Sequence, residues 1–476
     1  MNIFLVWNLK PNLECGFKPK LKLKFSLLNR PPGDHVIGVA SVFLRELFEA
    51  ELPSSHTYSI CEMFVQLLLK GVSQRIVGGY TFDEIVKMFA GHLFQSHIGS
   101  ELIYGIASMF IRCIVDTKLF SDPGANSYEK EQAVKIFASR LHLNCDQQIS
   151  LKIARRLIKS QLKNLKAAKK SEMRHNLRII ESVCLSLYES KVSREFAVQF
   201  TTFVARQFYD FPKKHASCMR AIRTLFESKT AQDLVIDIVD VNISMLMTHP
   251  DVEVIKEGAW DFFYNLLRSE HSQPEEVKIK LVDQFLIKLF ASNLSRRGIL
   301  SDICNEFFWP VFNKDIPKDL TYELCILFTR QLYKSELSPD LINEEADNFT
   351  HKLCSSVLDW NSLFDIETMF RLMINFPKDL SLKVGENYIE KLFEESAVMP
   401  DDLIADIASS FIENLYDSEL PCDVTMKIAS MFMKKIDEDE AMDEDTTTDI
   451  IVFLYNCFAF WCQANKEWYF NPQRGG

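Results

Sequence analysis

Pro317-Lys318-Asp319-Leu320 recurs as Pro377-Lys378-Asp379-Leu380, Pro400-Asp401-Asp402-Leu403 and Pro421-Cys422-Asp423-Val424, a Pro-x-Asp-(Leu/Val) phrase used four times within about 105 residues. Pro274-Glu275-Glu276-Val277 is a close relation, and Pro250-Asp251-Val252 and Pro339-Asp340-Leu341 are shortened forms. Each part of the phrase starts a helix. Proline is tolerated in a first turn, where the N–H it lacks would have no partner. A carboxylate in that turn meets free N–H groups and the positive end of the helix dipole. The apolar residue that follows opens the buried stripe, and the one before the proline (Ile316, Phe376, Met399, Leu420) is placed to fold back as a staple.

Outward from these starts, prolines fall at 212, 250, 274, 310, 317, 339, 377, 400 and 421, with several gaps of 21 to 24 residues and others of 36 to 38. The shorter gap is one helix and a turn; the longer is close to a helical hairpin, near the period of helix-pair repeats. Composition agrees. Only 15 of 476 residues are glycine and 37 are phenylalanine, which disfavours a turn-rich β-sandwich and favours long helices. The expected fold is therefore all-α, an α-solenoid of stacked helical hairpins. It resembles the HEAT and armadillo kinds over residues 130–430, without the sharper consensus of tetratricopeptide or ankyrin repeats.

The expected organisation is an irregular lead-in over 1–35, a helical subdomain over 36–122, a repeat array over 123–436, an acidic mobile loop over 437–449, and a C-terminal cap helix and tail over 450–476. In the lead-in, Leu21 to Phe25 alternate with period two before Pro31-Pro32-Gly33, a short hairpin signal. Val39, Val42, Phe43 and Leu47 mark a first helix ending at Pro53, and Ile60 to Leu69 mark a second. Thr81 and Glu84 have capping-box spacing, and Ser121-Asp122-Pro123-Gly124 supplies the internal boundary. The cap is expected to be Ile450 to Trp461 with Trp468 and Tyr469.

Charge is sharply divided. Residues 152–229 hold 18 Lys/Arg against 6 Asp/Glu, whereas the 247 residues beyond hold 21 against 45. At the start of the basic segment lies LKIARRLIKSQLKNLKAAKK, residues 151–170, without one acidic residue. Read as a single helix, it sets Lys152, Arg156, Lys159, Lys163, Lys166 and Lys170 along one arc, over roughly 27 Å at 1.5 Å per residue. Leu151, Ala154, Leu157, Ile158, Leu162 and Leu165 take the opposite arc. With Arg174 and Arg178 next in line, these residues form the candidate polyanion-binding site, whose ligand is a nucleic-acid backbone, an acidic protein segment or the chain's own acidic run. That run holds seven carboxylates within residues 437–445. The competing reading of the row is a solvated face neutralised by acids from elsewhere in the fold.

No phosphate-cradling Gly-x-x-x-x-Gly-Lys-Ser/Thr loop, dinucleotide fingerprint, His-Glu-x-x-His or Gly-x-Ser-x-Gly occurs. The 12 cysteines include no Cys-x-x-Cys and read as small buried hydrophobes. The chain is therefore expected to be no enzyme, to use no metal or cofactor, to have no membrane span, and to reside in the cytoplasm or nucleus. Two functions follow: a scaffold or adaptor holding a protein or peptide partner on an extended surface, or a nucleic-acid-associated protein holding RNA or DNA on residues 152–223. Oligomeric state is left open by the sequence.

Overall fold

The computed structural model describes residues 34–73, 82–116, 125–144, 146–167, 170–189, 192–209, 225–226, 230–268, 273–294, 298–312, 316–358, 365–396, 400–438 and 444–464. Among these residues there is no strand. Nineteen helices follow one another: α1 (Asp34–Glu49), α2 (Ser54–Ser73), α3 (Phe82–Gln95), α4 (Ser100–Asp116), α5 (Ala125–Asn144), α6 (Gln147–Ala167), α7 (Lys170–Tyr188), α8 (Arg194–Tyr209), α9 (Gln232–Met247) and α10 (Val252–Arg268). Then come α11 (Glu275–Ala291), α12 (Leu300–Val311), α13 (Lys318–Lys334), α14 (Pro339–Leu358), α15 (Ile366–Asn375), α16 (Lys378–Ser396), α17 (Asp401–Asp417), α18 (Cys422–Glu438) and α19 (Glu444–Ala464).

These helices stack in two layers. One layer runs α1, α3, α5, α7, then α10, α12, α14, α16, α18; the other runs α2, α4, α6, α8, α9, α11, α13, α15, α17, α19. Most helices pack sideways on the next member of their own layer and more lightly on the hairpin partner, which is the arrangement of a solenoid; α6 is an exception, packing closely on α7. Between α8 and α9, Leu225 and Phe226 are helical and buried, and the Phe226 ring meets Phe262 of α10. The chain is thus the all-α solenoid of stacked hairpins expected from its sequence.

Neighbours within a layer run parallel. Lys383, Asn387 and Lys391 of α16 bond Asp347, Thr350 and Ser355 of α14, and the sequence offset stays at 36 or 37 down all three rungs. Between the layers, phenylalanine fills the core. A continuous path of ring contacts leads from Phe226 through Phe262, Phe285, Phe263, Phe307, Phe328 and Phe349 to Phe376, crossing from layer to layer. Offset and edge-on pairs of this kind add to the area they bury.

Proline starts these helices one position earlier than expected. Pro274, Pro317 and Pro400 are the capping residues before α11, α13 and α17, and Pro377 and Pro421 directly precede α16 and α18. Their carbonyls accept the first intrahelical bonds, as in Thr321 N to Pro317 O at 3.0 Å and Thr425 N to Pro421 O at 3.0 Å. The phrase also extends to a fifth residue. Thr321, Ser381 and Thr425 are each buried and return a hydroxyl to the proline carbonyl four residues back, so a burial-compatible polar group is part of the repeat. Ile316, Phe376 and Leu420, just before their prolines, are buried; Met399 lies outside the described residues.

Three expectations change. In α1 the core face is Ala40, Leu44, Leu47 and Phe48, which leaves Val39 and Val42 exposed. The second helix is longer than Ile60–Leu69, spanning Ser54–Ser73. The acidic stretch 437–449 is not a loop throughout: Asp437 and Glu438 end α18, and Glu444 to Asp449 open α19, where carboxylates suit the positive end of the helix. Residues 1–33, Thr81, 117–124 and 439–443 lie outside the described residues, as do Trp468 and Tyr469. The lead-in, the capping box and the boundary at 122 fall there, while α3 packs on α5 across that boundary.

Candidate polyanion-binding face

Helix α6 begins where Asp146 accepts the N–H groups of Gln148 and Ile149 through Oδ1, at 2.9 and 3.3 Å. Those groups would otherwise be orphan donors. Leu151, Ala154, Leu157, Ile158 and Leu162 are all buried, so the apolar arc is the core face as expected, and the side chain of Leu165 is outside the described residues. Lys152, Arg156 and Lys159 are consequently exposed on the opposite arc.

The row does not continue on one helix to Lys170. α6 ends at Ala167, and Lys170, Arg174 and Arg178 belong to α7, in the other layer. α7 buries Leu177, Ile180, Val183 and Cys184 and packs on α5. Lys163 and Lys166 remain on α6, but the side chains of Lys163, Lys166, Lys170 and Arg174 lie outside the described residues. Arg178 is exposed on α7. The structure therefore places Lys152, Arg156 and Lys159 together and sets Arg178 apart.

Helices α4 and α8 flank α6 and contribute groups from a full repeat away. Lys152 Nζ pairs with Glu101 Oε1 of α4 at 3.3 Å, so one cation of the row has an acidic partner from elsewhere in the fold. Arg156 Nη1 donates to Tyr104 Oη at 3.0 Å, with its guanidinium carbon 5.6 Å from the ring centroid. On the other side, Arg155 and Lys159 lie 5.4 and 5.7 Å from the Phe203 ring of α8. Phe203 is half-buried beside these cations. The same device recurs one helix earlier, where Arg112 of α4 donates to Tyr58 Oη of α2 at 3.5 Å.

Aromatic and cationic side chains thus alternate across α2, α4, α6 and α8. A cation held over a ring face keeps its charge directed outward and loses less freedom when an anion arrives. Exposed pairs such as Lys152–Glu101 contribute little to stability and exchange readily for another anion. Further along, Arg206 of α8 is exposed, whereas Arg194 is bonded to Asp237 of α9. Lys191, Lys213, Lys214, Arg220 and Arg223 lie outside the described residues.

No protein-family model and no curated protein matches the chain. Solved structures resemble it along most of its length. An engineered protein has 12% identity and a TM-score of 0.31 over 88% of this chain and 98% of its own. A circular tandem repeat protein has 11% identity and a TM-score of 0.27 over 92% and 100%. APUM23 with GGAGUUGACGG has 11% identity and a TM-score of 0.25 over 89% and 90%. Scores this far below 0.5 decide nothing about chemistry, and the helices themselves carry the fold.

Elsewhere, among the described residues no group of three or more His, Cys, Asp and Glu is gathered so as to hold a metal, and no helix is long and apolar enough to cross a membrane. Cys61, Cys184, Cys304, Cys325 and Cys354 are buried, and burial pushes the thiols of Cys61, Cys304, Cys325 and Cys354 above their ordinary range. That is the environment of an inert packing cysteine.

Proposed function

We propose that the chain is a non-enzymatic helical-repeat scaffold that holds a protein or peptide partner along one of its layers. The observation that carries this reading is the sideways packing of successive helices, α1 to α7 and α10 to α18 in one layer and α2 to α19 in the other. Parallel neighbours such as α14 and α16, bonded at a constant offset of 36 or 37 residues down three rungs, present side chains in register over several turns. Such a surface suits an extended ligand that touches several repeats at once. The test is crosslinking of the intact protein in cell extract, followed by mapping of the crosslinked peptides. Protein crosslinks running over three or more successive helices of one layer are the expected result. Crosslinks confined to a single helix, or capture abolished by nuclease, would overturn it.

A second reading, an RNA or DNA backbone held on the basic face, draws support from the cation–aromatic rungs at Arg156–Tyr104 and Lys159–Phe203. Phosphate contacts of this sort are indifferent to sequence and sensitive to salt. A random single-stranded oligomer should then bind with a steep salt slope, and Lys152→Glu, Arg156→Glu and Lys159→Glu together should flatten that slope by about two units. An unchanged slope in the folded triple variant removes this face from the reading.

A further inference from the structure

Two stretches 49 residues apart carry the same pattern of surface residues. Glu253-Val-Ile-Lys-Glu257-Gly-Ala-Trp260 on α10 aligns with Asp302-Ile-Cys-Asn-Glu306-Phe-Phe-Trp309 on α12, with acid at the first position, Glu at the fifth and Trp at the eighth. Steps of four and three residues keep all three on one helix face. The positions between them agree as well: Val254, Ile255, Ala259, Ile303, Cys304 and Phe308 are buried. α10 and α12 are adjacent in their layer, so the two acid–Glu–Trp rows lie side by side.

At the tryptophan end the rings form a cluster. Trp260 stacks on Tyr264 with centroids 4.5 Å apart, and Trp309 lies 6.3 Å from both. These are not core residues, since Trp260 is 36% and Trp309 49% exposed. Large aromatic rings left in water on adjacent repeats mark a contact surface more often than chance exposure does. At the acidic end, Lys256 Nζ lies 2.5 Å from Asp302 Oδ2 and 3.8 Å from Glu253 Oε1. Neither Glu257 nor Glu306 forms an ion pair among the described residues. Asp302, Glu253 and Glu306 thus act on one lysine, and Glu257 and Glu306 each stand three residues before a tryptophan of the cluster.

We propose that this surface receives a basic segment of the partner, with a lysine or arginine side chain laid on Trp260 and Trp309 and its charge shared by Glu257 and Glu306. The chemistry follows from the two halves of the pattern. Indole faces attract a cation through their quadrupole, and neighbouring carboxylates raise its local concentration while repelling acidic segments. The strongly acidic balance of residues 230–476 acts in the same direction over longer range. The inference deepens the scaffold reading by naming the partner's chemistry.

The probe is a fluorescein-labelled glycine–serine peptide bearing four arginines, with a four-glutamate version as control, titrated against the intact protein at about 0.15 M salt. The arginine peptide should bind and the glutamate peptide should not. Trp260→Leu with Trp309→Leu, which keeps apolar bulk but removes the π faces, should weaken binding about tenfold. Glu257→Gln with Glu306→Gln should weaken it comparably, while both variants retain the native thermal transition. Equal binding of the arginine peptide by the folded double-leucine variant would overturn the proposal, because attraction to net charge would then suffice. Absence of arginine-peptide binding in the unaltered protein would overturn it too. Either failure leaves crosslinks across several repeats still obtainable, so this inference and the scaffold reading fail separately.

Discussion

The ammonium of Lys378 is bonded to the carboxylate of Asp423, the third residue of the Pro421 helix start one repeat further along the same layer. Lys318 does the equivalent in the other layer, pairing at 2.7 Å with Asp365 before α15. The second position of one start therefore reaches the start of the next helix in its layer. The phrase that begins each helix also helps set the register between repeats.

Asp365 tests the division between capping and pairing. Its side chain caps α15 by accepting Thr368 N at 2.8 Å while it also holds Lys318. Partial burial pushes its carboxyl up, but the Lys318 and Thr368 bonds outweigh burial and hold it below its ordinary range. Asp365→Ala should cost about 1 kcal/mol, and Lys318→Ala distinctly less, because the cap is lost only in the first. Since the folded carboxyl is the stronger acid, its contribution is present above the unfolded value near 4 and disappears as pH falls through the folded one. Urea melts at pH 7 and pH 3 should show the Asp365→Ala deficit shrinking at the lower pH.

Gly385 sits where α16 meets α18. A Cβ built there would lie 2.8 Å from Ile428 Cγ1 and 2.9 Å from its Cδ1. Alanine favours an exposed helix by about 1 kcal/mol over glycine. Here overpacking against a stiff β-branched side chain should win and destabilise by about 1–3 kcal/mol. Gly385→Ala combined with Ile428→Val should recover part of the loss, measured by thermal or chemical denaturation.

Asp261, half-buried beside Glu257, has its carboxyl pushed up to about 6, first by burial and then by the Glu257 charge. Between pH 4 and 6 the folded protein keeps a proton that the unfolded chain has released, so this residue costs stability increasingly as pH rises through that window. Asp261→Asn should therefore be more stable than the unaltered protein at pH 7, by about 1 kcal/mol once partial exposure is allowed for, and equal to it near pH 4. Paired melts across that range provide the measurement.

Helix starts were legible because their causes are local: a proline, a carboxylate and an apolar residue act within one turn. The break between α6 and α7 was not legible. Ala167-Ala168-Lys169-Lys170 contains no glycine or proline, and the amphipathic pattern runs through it, so six cations read as one row where the fold divides them between layers. The partners of that row were equally hidden, since Glu101, Tyr104 and Phe203 come from helices 44 to 52 residues away. Trp260 and Trp309 carried a usable signal, the acid–Glu–Trp pattern repeated after 49 residues. An isolated tryptophan on an amphipathic helix nevertheless looks like core until its neighbour repeat is laid beside it.

Phe328 tests how far a local loss travels. It is fully buried, and its ring contacts Phe290, Phe307, Phe308 and Phe349, joining α11, α12, α13 and α14. Phe328→Ala removes a node of the ring path and should cost about 3–5 kcal/mol locally. In a solenoid each repeat is supported by its neighbours alone, so the loss should fall on the repeats that touch the cavity. Amide hydrogen exchange of the variant should show reduced protection concentrated in α11 to α14, with α2, α4 and α6 unchanged. An equal loss of protection in α2 to α6 would mean that the array unfolds as one cooperative body, and nearest-neighbour stacking would then no longer describe its energetics.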